Sequence, residues 1–163
     1  AFDAEGWFHT GDLGSVDDEG FVKITGRKKE LIKTSGGKYV APAKIEGRLK
    51  GLPIIQEAVV IGDNHNYCVA LIAIDPDDLK DFADLKGIPA DQNHAMVQEA
   101  VDAHLKAVNG TLARFETIKY YRLTPEPMSI ENGLLTASLK VKRKIVEARY
   151  ADTIDEMYST GRK

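Results

Sequence analysis

The residues best able to do chemistry concentrate first in one basic stretch, residues 26–38, which reads GRKKELIKTSGGK. It follows a strand-like run, residues 20–25, and it supplies cationic side chains such as Arg27, Lys29 and Lys33. The adjacent Gly36 and Gly37 permit positive φ and a close approach of the backbone to a ligand. Because lysine and arginine are common partners of phosphate, the stretch predicts a phosphate-bearing ligand. Taken alone, however, basic loops of this kind are more often solvated connections.

The stretch does not match a P-loop, which requires Gly-x-x-x-x-Gly-Lys followed by serine or threonine. Here Gly37-Lys38 is followed by Tyr39, and Ile32 stands where the first glycine of that motif should be. A nucleotide-binding function therefore depends on residues elsewhere in the chain.

Two further segments carry chemistry of the same kind. Residues 6–12, GWFHTGD, form a glycine-flanked turn that presents the carboxylate of Asp12. A carboxylate can accept hydrogen bonds from two vicinal ribose hydroxyls, although an aspartate in a turn more often bonds its own backbone. Residues 131–143, ENGLLTASLKVKR, place Lys140 at the end of a loop, from which its ammonium group could move onto a phosphate.

The elements that must position these residues follow from apolar periodicity and from turn residues. A hairpin is predicted over 14–25, and a helix is predicted to begin at Pro42 and to stop at Gly51. Further predicted elements are paired strands (54–61 and 67–74), helices (75–85 and 93–112), a strand (117–123), an exposed loop (124–139) and a helical end (141–158). Strands and helices in this unequal order predict a small α+β domain.

Composition excludes several classes of function. The 163 residues carry a net charge of −3, which argues against binding nucleic acid through bulk electrostatics. The single cysteine, Cys68, cannot form an internal disulfide and is predicted to be a core residue. The four histidines lack metal-ligand spacing, and we expect His104 to be an ordinary residue of a helix surface. The sequence contains no apolar run long enough to span a membrane, and its N-terminus lacks the features of a signal peptide. Since it opens at Ala1 without an initiator methionine, we expect a piece of a longer protein.

Taken together, the motifs resemble the C-terminal part of the acyl-adenylate-forming enzymes, the superfamily of acyl-CoA synthetases, luciferases and peptide-synthetase adenylation domains. The pattern that resembles this family comprises TGD (10–12), GR (26–27), LIK with a following glycine (31–36) and APAKIE (41–46). Residues 108–119 and 131–136 resemble, more narrowly, the long-chain fatty acyl-CoA synthetase branch. Ala137 departs mildly from that branch, which usually carries proline there. The resemblance covers essentially the whole chain.

The resemblance implies a fold and a division of labour. Residues 1–27 would end an N-terminal ATP-binding domain with its ribose-binding turn and hairpin. Residues 28–163 would form a mobile α+β C-terminal domain, with a short mixed or antiparallel sheet flanked by helices. The N-terminal domain, absent here, would bind ATP, Mg²⁺ and the acyl chain. The small domain would close over it in two orientations, one for forming acyl-adenylate and pyrophosphate and one for attack by coenzyme A.

The resemblance also implies site residues, each at a position that matches a motif of the family. Lys140 corresponds to the adenylation lysine, because KVKR (140–143) matches the Lys-x-x-Arg ending. Lys29 corresponds to the hinge of the rotation. The remaining correspondences are ribose or phosphate contacts, Asp12 and Arg27, and a loop facing the site in the thioester-forming state, Lys33, Gly36 and Gly37. The neighbouring cations Lys142, Arg143, Lys144 and Arg149 could meet phosphates of coenzyme A, but a solvated helix face is the ordinary interpretation of most of them.

The sequence therefore predicts a fragment of an AMP-forming long-chain fatty acid–CoA ligase, inactive alone, that works with its own N-terminal domain on fatty acid, ATP and coenzyme A. No metal ligand is expected in this part, and the expected location is the cytoplasm, with peripheral membrane association as an option. Two alternatives remain open. One is a non-catalytic binding or interaction module that retains the fold, and the other is an adenylating enzyme whose acceptor is a carrier protein.

Overall fold

The computed structural model describes residues 2–160, with the side chains of residues 25 and 160 excepted. Its strands are β1 (Asp12–Val16), β2 (Val22–Arg27), β3 (Ile32–Lys33), β4 (Tyr39–Val40), β5 (Ile55–Ile61), β6 (Cys68–Ile74) and β7 (Ile118–Leu123). Its α-helices are α1 (Pro42–Leu49), α2 (Pro76–Lys86), α3 (Ala95–Asn109), α4 (Arg143–Arg149) and α5 (Ala151–Thr160). One turn of 3₁₀ helix, Lys28–Glu30, joins β2 to the short strand β3.

The predicted N-terminal hairpin is present. Strands β1 and β2 pair antiparallel, and this register sets Asp12 opposite Arg27. The turn is held by Asp17, whose Oδ1 accepts hydrogen bonds from the backbone N–H groups of Glu19 at 3.1 Å and Phe21 at 2.9 Å. A side chain that bonds its own turn in this way explains why aspartate and glycine fix the reversal.

The larger sheet has the order β5-β6-β7, with β5 antiparallel and β7 parallel to the central β6. All seven residues of β6 are buried, as expected for a central strand covered on both faces. Alternate residues enter two separate cores, so that Ala70 and Ile72 face α1 and α3 whereas Leu71 and Ala73 face α5 and the 124–142 segment. The predicted α+β fold with a small mixed sheet is confirmed.

Helix α1 lies against this sheet because Ile45 and Leu49, four residues apart, are both fully buried. Its C-terminal carbonyl groups are capped from another helix, since His104 Nε2 lies 3.0 Å from the carbonyl oxygens of both Arg48 and Leu49. The expectation that His104 is an ordinary helix-surface residue is therefore wrong. A histidine that ties α3 to the end of α1 satisfies carbonyls that the helix leaves unpaired.

The segment after β7 differs most from expectation. Residues 124–139 contain no regular strand or helix, as predicted, but Met128, Leu134 and Leu135 are buried. Asn132 makes this possible, because its side chain accepts a hydrogen bond from Ser129 N at 3.0 Å and donates one to a backbone carbonyl at 2.9 Å. The prediction of an exposed loop is wrong, since local side-chain bonds satisfy the irregular backbone and allow its apolar side chains to enter the second core.

The rest of the chain follows the sequence closely. The helical end is present but breaks at Tyr150 into α4 and α5. Cys68 is buried as predicted, and burial, followed by the charge of Glu116, raises the pKa of its thiol to about 11. No helix within residues 2–160 has the length and apolarity needed to cross a bilayer. The predicted division of the chain at residue 27 stays a prediction.

Candidate functional site

Three of the predicted site residues lie together in one open cleft. Asp12, Arg27 and Lys140 line a space of about 880 Å³ between the N-terminal hairpin, helix α1 and the loop that precedes α4. These residues are separated in sequence by as many as 128 positions, from 12 to 140. The fold therefore brings a carboxylate, a guanidinium and an ammonium group to one surface.

Asp12 and Arg27 are positioned by strand pairing. They are cross-strand partners, and Arg27 Nε donates to Asp12 Oδ1 at 3.0 Å. The Arg27 side chain is 65% exposed, so this ion pair is of the solvent-screened kind that contributes roughly 0–1 kcal/mol. A weak pair can exchange its partners for a ligand, which leaves the carboxylate available for hydroxyl groups and the guanidinium available for phosphate.

Lys140 is presented by a tight hairpin loop. Thr136 N donates to the Lys140 carbonyl at 2.8 Å, and Lys140 N donates to Thr136 Oγ1 at 3.1 Å. An isolated antiparallel β-bridge between Leu135 and Val141 joins the two ends of the loop. The side chain of Lys140 is exposed, whereas its backbone is fixed. Large movements of this ammonium group must therefore come from the domain as a whole and from the side chain, because the loop itself is constrained.

The same loop contains an unusual backbone conformation. Leu139 has φ of +57°, in the left-handed region, and its side chain is 64% exposed. A non-glycine residue in this region is strained by roughly 1–2 kcal/mol, and little burial is lost on removing the side chain.

Replacing Leu139 with glycine is therefore expected to stabilise the chain by about 0.5–1 kcal/mol, measured by urea unfolding. Leu139→Ala, which keeps the strain, serves as the control, and equal stability of the two variants would contradict the expectation.

The predicted hinge adjoins the cleft. Lys29 is the central residue of the 3₁₀ turn Lys28–Glu30 and is exposed. It lines a second open cleft of about 640 Å³, which Lys140 also borders. Glu147 lies in that second cleft, and burial raises the pKa of its carboxyl group although Arg143 opposes the rise. The hinge position thus lies between the hairpin and the body of the sheet domain.

The predicted thioester-state loop lies elsewhere. Thr34 closes a turn over Gly36 and Gly37, where Gly37 has φ of +74° and donates to the Thr34 carbonyl at 2.8 Å. Lys33 N donates to Asp63 Oδ1 at 3.0 Å, which fastens the loop to the connection between β5 and β6. Lys33, Gly36 and Gly37 do not line the cleft that holds Asp12, Arg27 and Lys140. The structure therefore separates the predicted site residues into two groups.

One pair important for the site was not found from the sequence. Arg143 Nη2 donates to Glu46 Oε1 at 2.5 Å, and Arg143 Nη1 donates to the Val60 carbonyl at 2.8 Å. Glu46 Oε1 also accepts from Val60 N at 2.8 Å. These hydrogen bonds among Arg143, Glu46 and Val60, the Glu46–Arg143 fork, tie α4 to α1 and β5. They also hold the loop of Lys140, which directly precedes α4. The guanidinium of Arg143 is therefore engaged within the fold, whereas a solvated helix face is the ordinary interpretation of most cations in this stretch.

The fork predicts a specific loss of stability. Arg143→Met removes a half-buried guanidinium and leaves the carboxylate of Glu46 without its cation, so the free energy of unfolding should fall by about 2 kcal/mol. The neighbouring Lys144→Met is the matched control, because Lys144 is exposed and a surface change of this kind stays within about 0.5 kcal/mol. Urea denaturation compares the two, and equal losses would show that the fork contributes nothing specific.

The chain is similar to known proteins along almost its whole length. A family model described as the AMP-binding enzyme C-terminal domain matches residues 29–162. Long-chain-fatty-acid–CoA ligase FadD15 of Mycobacterium tuberculosis is 40% identical over an alignment 164 residues long. The alignment covers 95% of this chain and 27% of the relative. Long chain acyl-CoA synthetase 7 of Arabidopsis thaliana, named as peroxisomal, is 36% identical over 165 residues, covering 96% of this chain and 24% of the relative.

A solved structure shows the same arrangement of elements. The A domain of a carboxylic acid reductase from Segniliparus rugosus, in complex with AMP and a co-purified carboxylic acid, has a TM-score of 0.75 and 26% identity, over 98% of this chain and 24% of that one. The present chain thus spans about a quarter of the length of the proteins it matches.

Proposed function

We propose, because this chain belongs to the family of AMP-binding enzyme C-terminal domains, that it is the mobile domain of an ATP-dependent, AMP-forming fatty acid–CoA ligase. In the first half-reaction a carboxylate oxygen attacks the α-phosphorus of ATP, and pyrophosphate leaves. In the second, the thiol of coenzyme A loses its proton and attacks the acyl carbonyl, and AMP leaves. The observation that carries the proposal is the convergence of Asp12, Arg27 and Lys140 in one cleft.

Each residue of the cleft has a distinct task in the first half-reaction. Asp12 accepts hydrogen bonds from the ribose hydroxyls, and Arg27 contacts ribose or phosphate. Lys140 bridges the carboxylate and the α-phosphate, where negative charge is most crowded and a cation is most effective. A lysine delivers this charge as a compact ammonium group on a flexible stem.

The second half-reaction uses the other group of residues. The thioester-state loop lies outside the cleft of Lys140, so bringing Gly36 and Gly37 to the adenylate requires a different orientation of the domain. Lys29, in the 3₁₀ turn between the hairpin and the domain, is the residue at which we propose that the chain rotates. The bare backbone of two glycines then admits the narrow pantetheine arm of coenzyme A without side-chain clashes.

The remaining participants belong to the part of the polypeptide that precedes this chain. Within residues 2–160 no group of histidine, cysteine, aspartate and glutamate side chains could hold a metal ion, so Mg²⁺ would enter with ATP and be bound mainly by that preceding domain. The same domain would contain the pocket for the fatty acid. A cytoplasmic location, with peripheral contact with the membranes that supply fatty acid, is part of the same proposal.

The experiment that tests the proposal identifies the products of the intact polypeptide. The polypeptide is supplied with ATP, Mg²⁺ and hexadecanoate, together with either coenzyme A or a phosphopantetheine-bearing carrier protein. Mass spectrometry then follows AMP, pyrophosphate and thioester. We expect AMP, pyrophosphate and acyl-CoA. Thioester on the carrier protein without acyl-CoA would favour the carrier-dependent alternative, and the absence of AMP and pyrophosphate would favour a non-catalytic module.

A further inference from the structure

The cleft contains more positive charge than the assigned residues explain. Its lining includes two carboxylates and five cationic side chains, Lys23, Arg27, Lys44, Arg48 and Lys140. Arg27 is paired with Asp12, and Arg48 donates to Thr111 Oγ1 at 2.6 Å. As far as residues 2–160 are concerned, Lys23, Lys44 and Lys140 make no ion pair with a carboxylate. Three unpaired ammonium groups at one opening provide a surface for a polyanion.

One face of α1 contributes to this surface. Lys44, Gly47 and Arg48 are spaced three and four residues apart, which places them on one side of the helix, and all three line the cleft. The opposite side carries Ile45 and Leu49, which are fully buried. Because Arg48 is held by Thr111, Lys44 is the cation of this helix that can reach a ligand.

Gly47 gives a second, independent indication. A glycine inside a helix costs about 1 kcal/mol relative to alanine. Apart from the two chain neighbours and the backbone of α1 itself, no heavy atom of the described residues lies within 4 Å of the position that a Cβ atom would occupy at Gly47, and its φ is not in the left-handed region. Neither packing nor backbone geometry therefore requires glycine here. The missing side chain instead leaves the helix backbone open to whatever occupies the cleft.

We propose that Lys44 is a second phosphate-binding residue, which contacts the phosphate chain of ATP while Gly47 leaves room for that chain against α1. The proposal rests on the proposed function and extends it. A triphosphate carries several negative charges, and Lys140 is assigned to the α-phosphate. A separate cation on α1 stabilises the remaining phosphates, and it moves with the same rigid domain as Lys140 because the Glu46–Arg143 pair joins α1 to α4.

The experiment measures binding by this chain itself. The chain is titrated with ATP, and in parallel with coenzyme A, by isothermal calorimetry and by ¹H–¹⁵N chemical shifts at low ionic strength. We expect the amide signals of residues 44–48 to shift with ATP and Lys44→Gln to weaken ATP binding on the order of tenfold. Lys106→Gln, an exposed lysine of α3 outside the cleft, is the matched control and should leave the affinity unchanged.

A second variant separates binding from folding. Gly47→Leu should raise the melting temperature, because leucine favours helix and the Cβ position is open, and yet it should weaken ATP binding at least fivefold by filling the cleft. The proposal is overturned if the chain shows no shifts with ATP, if Lys44→Gln binds ATP like Lys106→Gln, or if the loss is confined to coenzyme A. These outcomes are distinct from failure of the proposed function, which would appear as an intact polypeptide that binds ATP but forms no adenylate.

Discussion

Replacing Lys140 with alanine in the intact polypeptide is expected to lower the rate of acyl-adenylate formation by about 10³-fold. The reason is electrostatic: removing a preorganised charge from the point where negative charge develops costs on the order of 10²–10³ in rate, and two anions repel each other here. Thioester formation from supplied acyl-adenylate should stay near the wild-type rate, because we propose that this lysine acts in the other orientation. Pyrophosphate release measures the first step, and acyl-CoA formation from synthetic adenylate measures the second.

Lys144 supplies the control for this prediction. It is an exposed lysine four residues further on, at the start of α4, and it borders the second cleft rather than the cleft of Asp12 and Arg27. Lys144→Ala should leave adenylate formation within about twofold of wild type, since a solvated charge contributes little. An equal decline of both half-reactions in Lys140→Ala would show that Lys140 acts on stability or on domain closure, and the assignment would then be wrong.

The second large effect is expected at the hinge. Lys29→Pro fixes φ of residue 29 near −65°, which a 3₁₀ turn allows, but it disfavours the helical conformation that Lys28 has in the present structure. One of the two orientations should become inaccessible. One half-reaction is then expected to fall on the order of 10²-fold, the magnitude that misplaced catalytic groups produce, while the other is retained.

Lys29→Ala distinguishes the backbone from the side chain. It removes the ammonium group but keeps the freedom of φ and ψ, so both half-reactions should survive in that variant. Unchanged activity of Lys29→Pro in both steps would exclude Lys29 as the position of rotation. A parallel loss in Lys29→Ala would instead assign the effect to the charge, which is exposed and lies in the same cleft as Glu30 and Lys140.

Much of this fold can be predicted from sequence, because the determinants are local. Pro42 begins α1, Gly87 with φ of +66° ends α2, and the alternation along β5 and β6 distributes side chains between two cores. In each case the period of the apolar residues or the conformational preference of one residue fixes the element. The positions of these elements therefore agree closely with expectation.

The sequence-based predictions are wrong where contacts between residues far apart in the sequence determine the structure. The Glu46–Arg143 pair joins residues 97 positions apart, and His104 caps a helix that ends 55 positions earlier. The 124–139 segment is interrupted by two prolines and one glycine, which indicated an exposed loop, yet Asn132 satisfies part of its backbone and Met128 is 1% exposed. A single sequence contains no signal for such pairs, since their partners are defined only after the chain has folded.

The site shows the same division. Short motifs and the family resemblance selected Asp12, Arg27 and Lys140, and the structure places all three in one cleft, while their roles stay predictions. The sequence did not indicate Lys44 and Gly47, since a lysine and a glycine on a short helix form no motif. Only the structure shows that this side of the helix faces the cleft. The orientation of α1, which depends on Ile45 and Leu49 in the core, supplies that information.

We propose that this domain completes a site for carboxylate activation. Exchange of labelled pyrophosphate into ATP, measured on the intact polypeptide with and without hexadecanoate, tests it most directly, because exchange requires reversible formation of an acyl-adenylate. We expect exchange that depends on hexadecanoate and that falls about 10³-fold in Lys140→Ala. Exchange that is absent with every fatty acid supplied, or that is equally fast without Lys140, would contradict it.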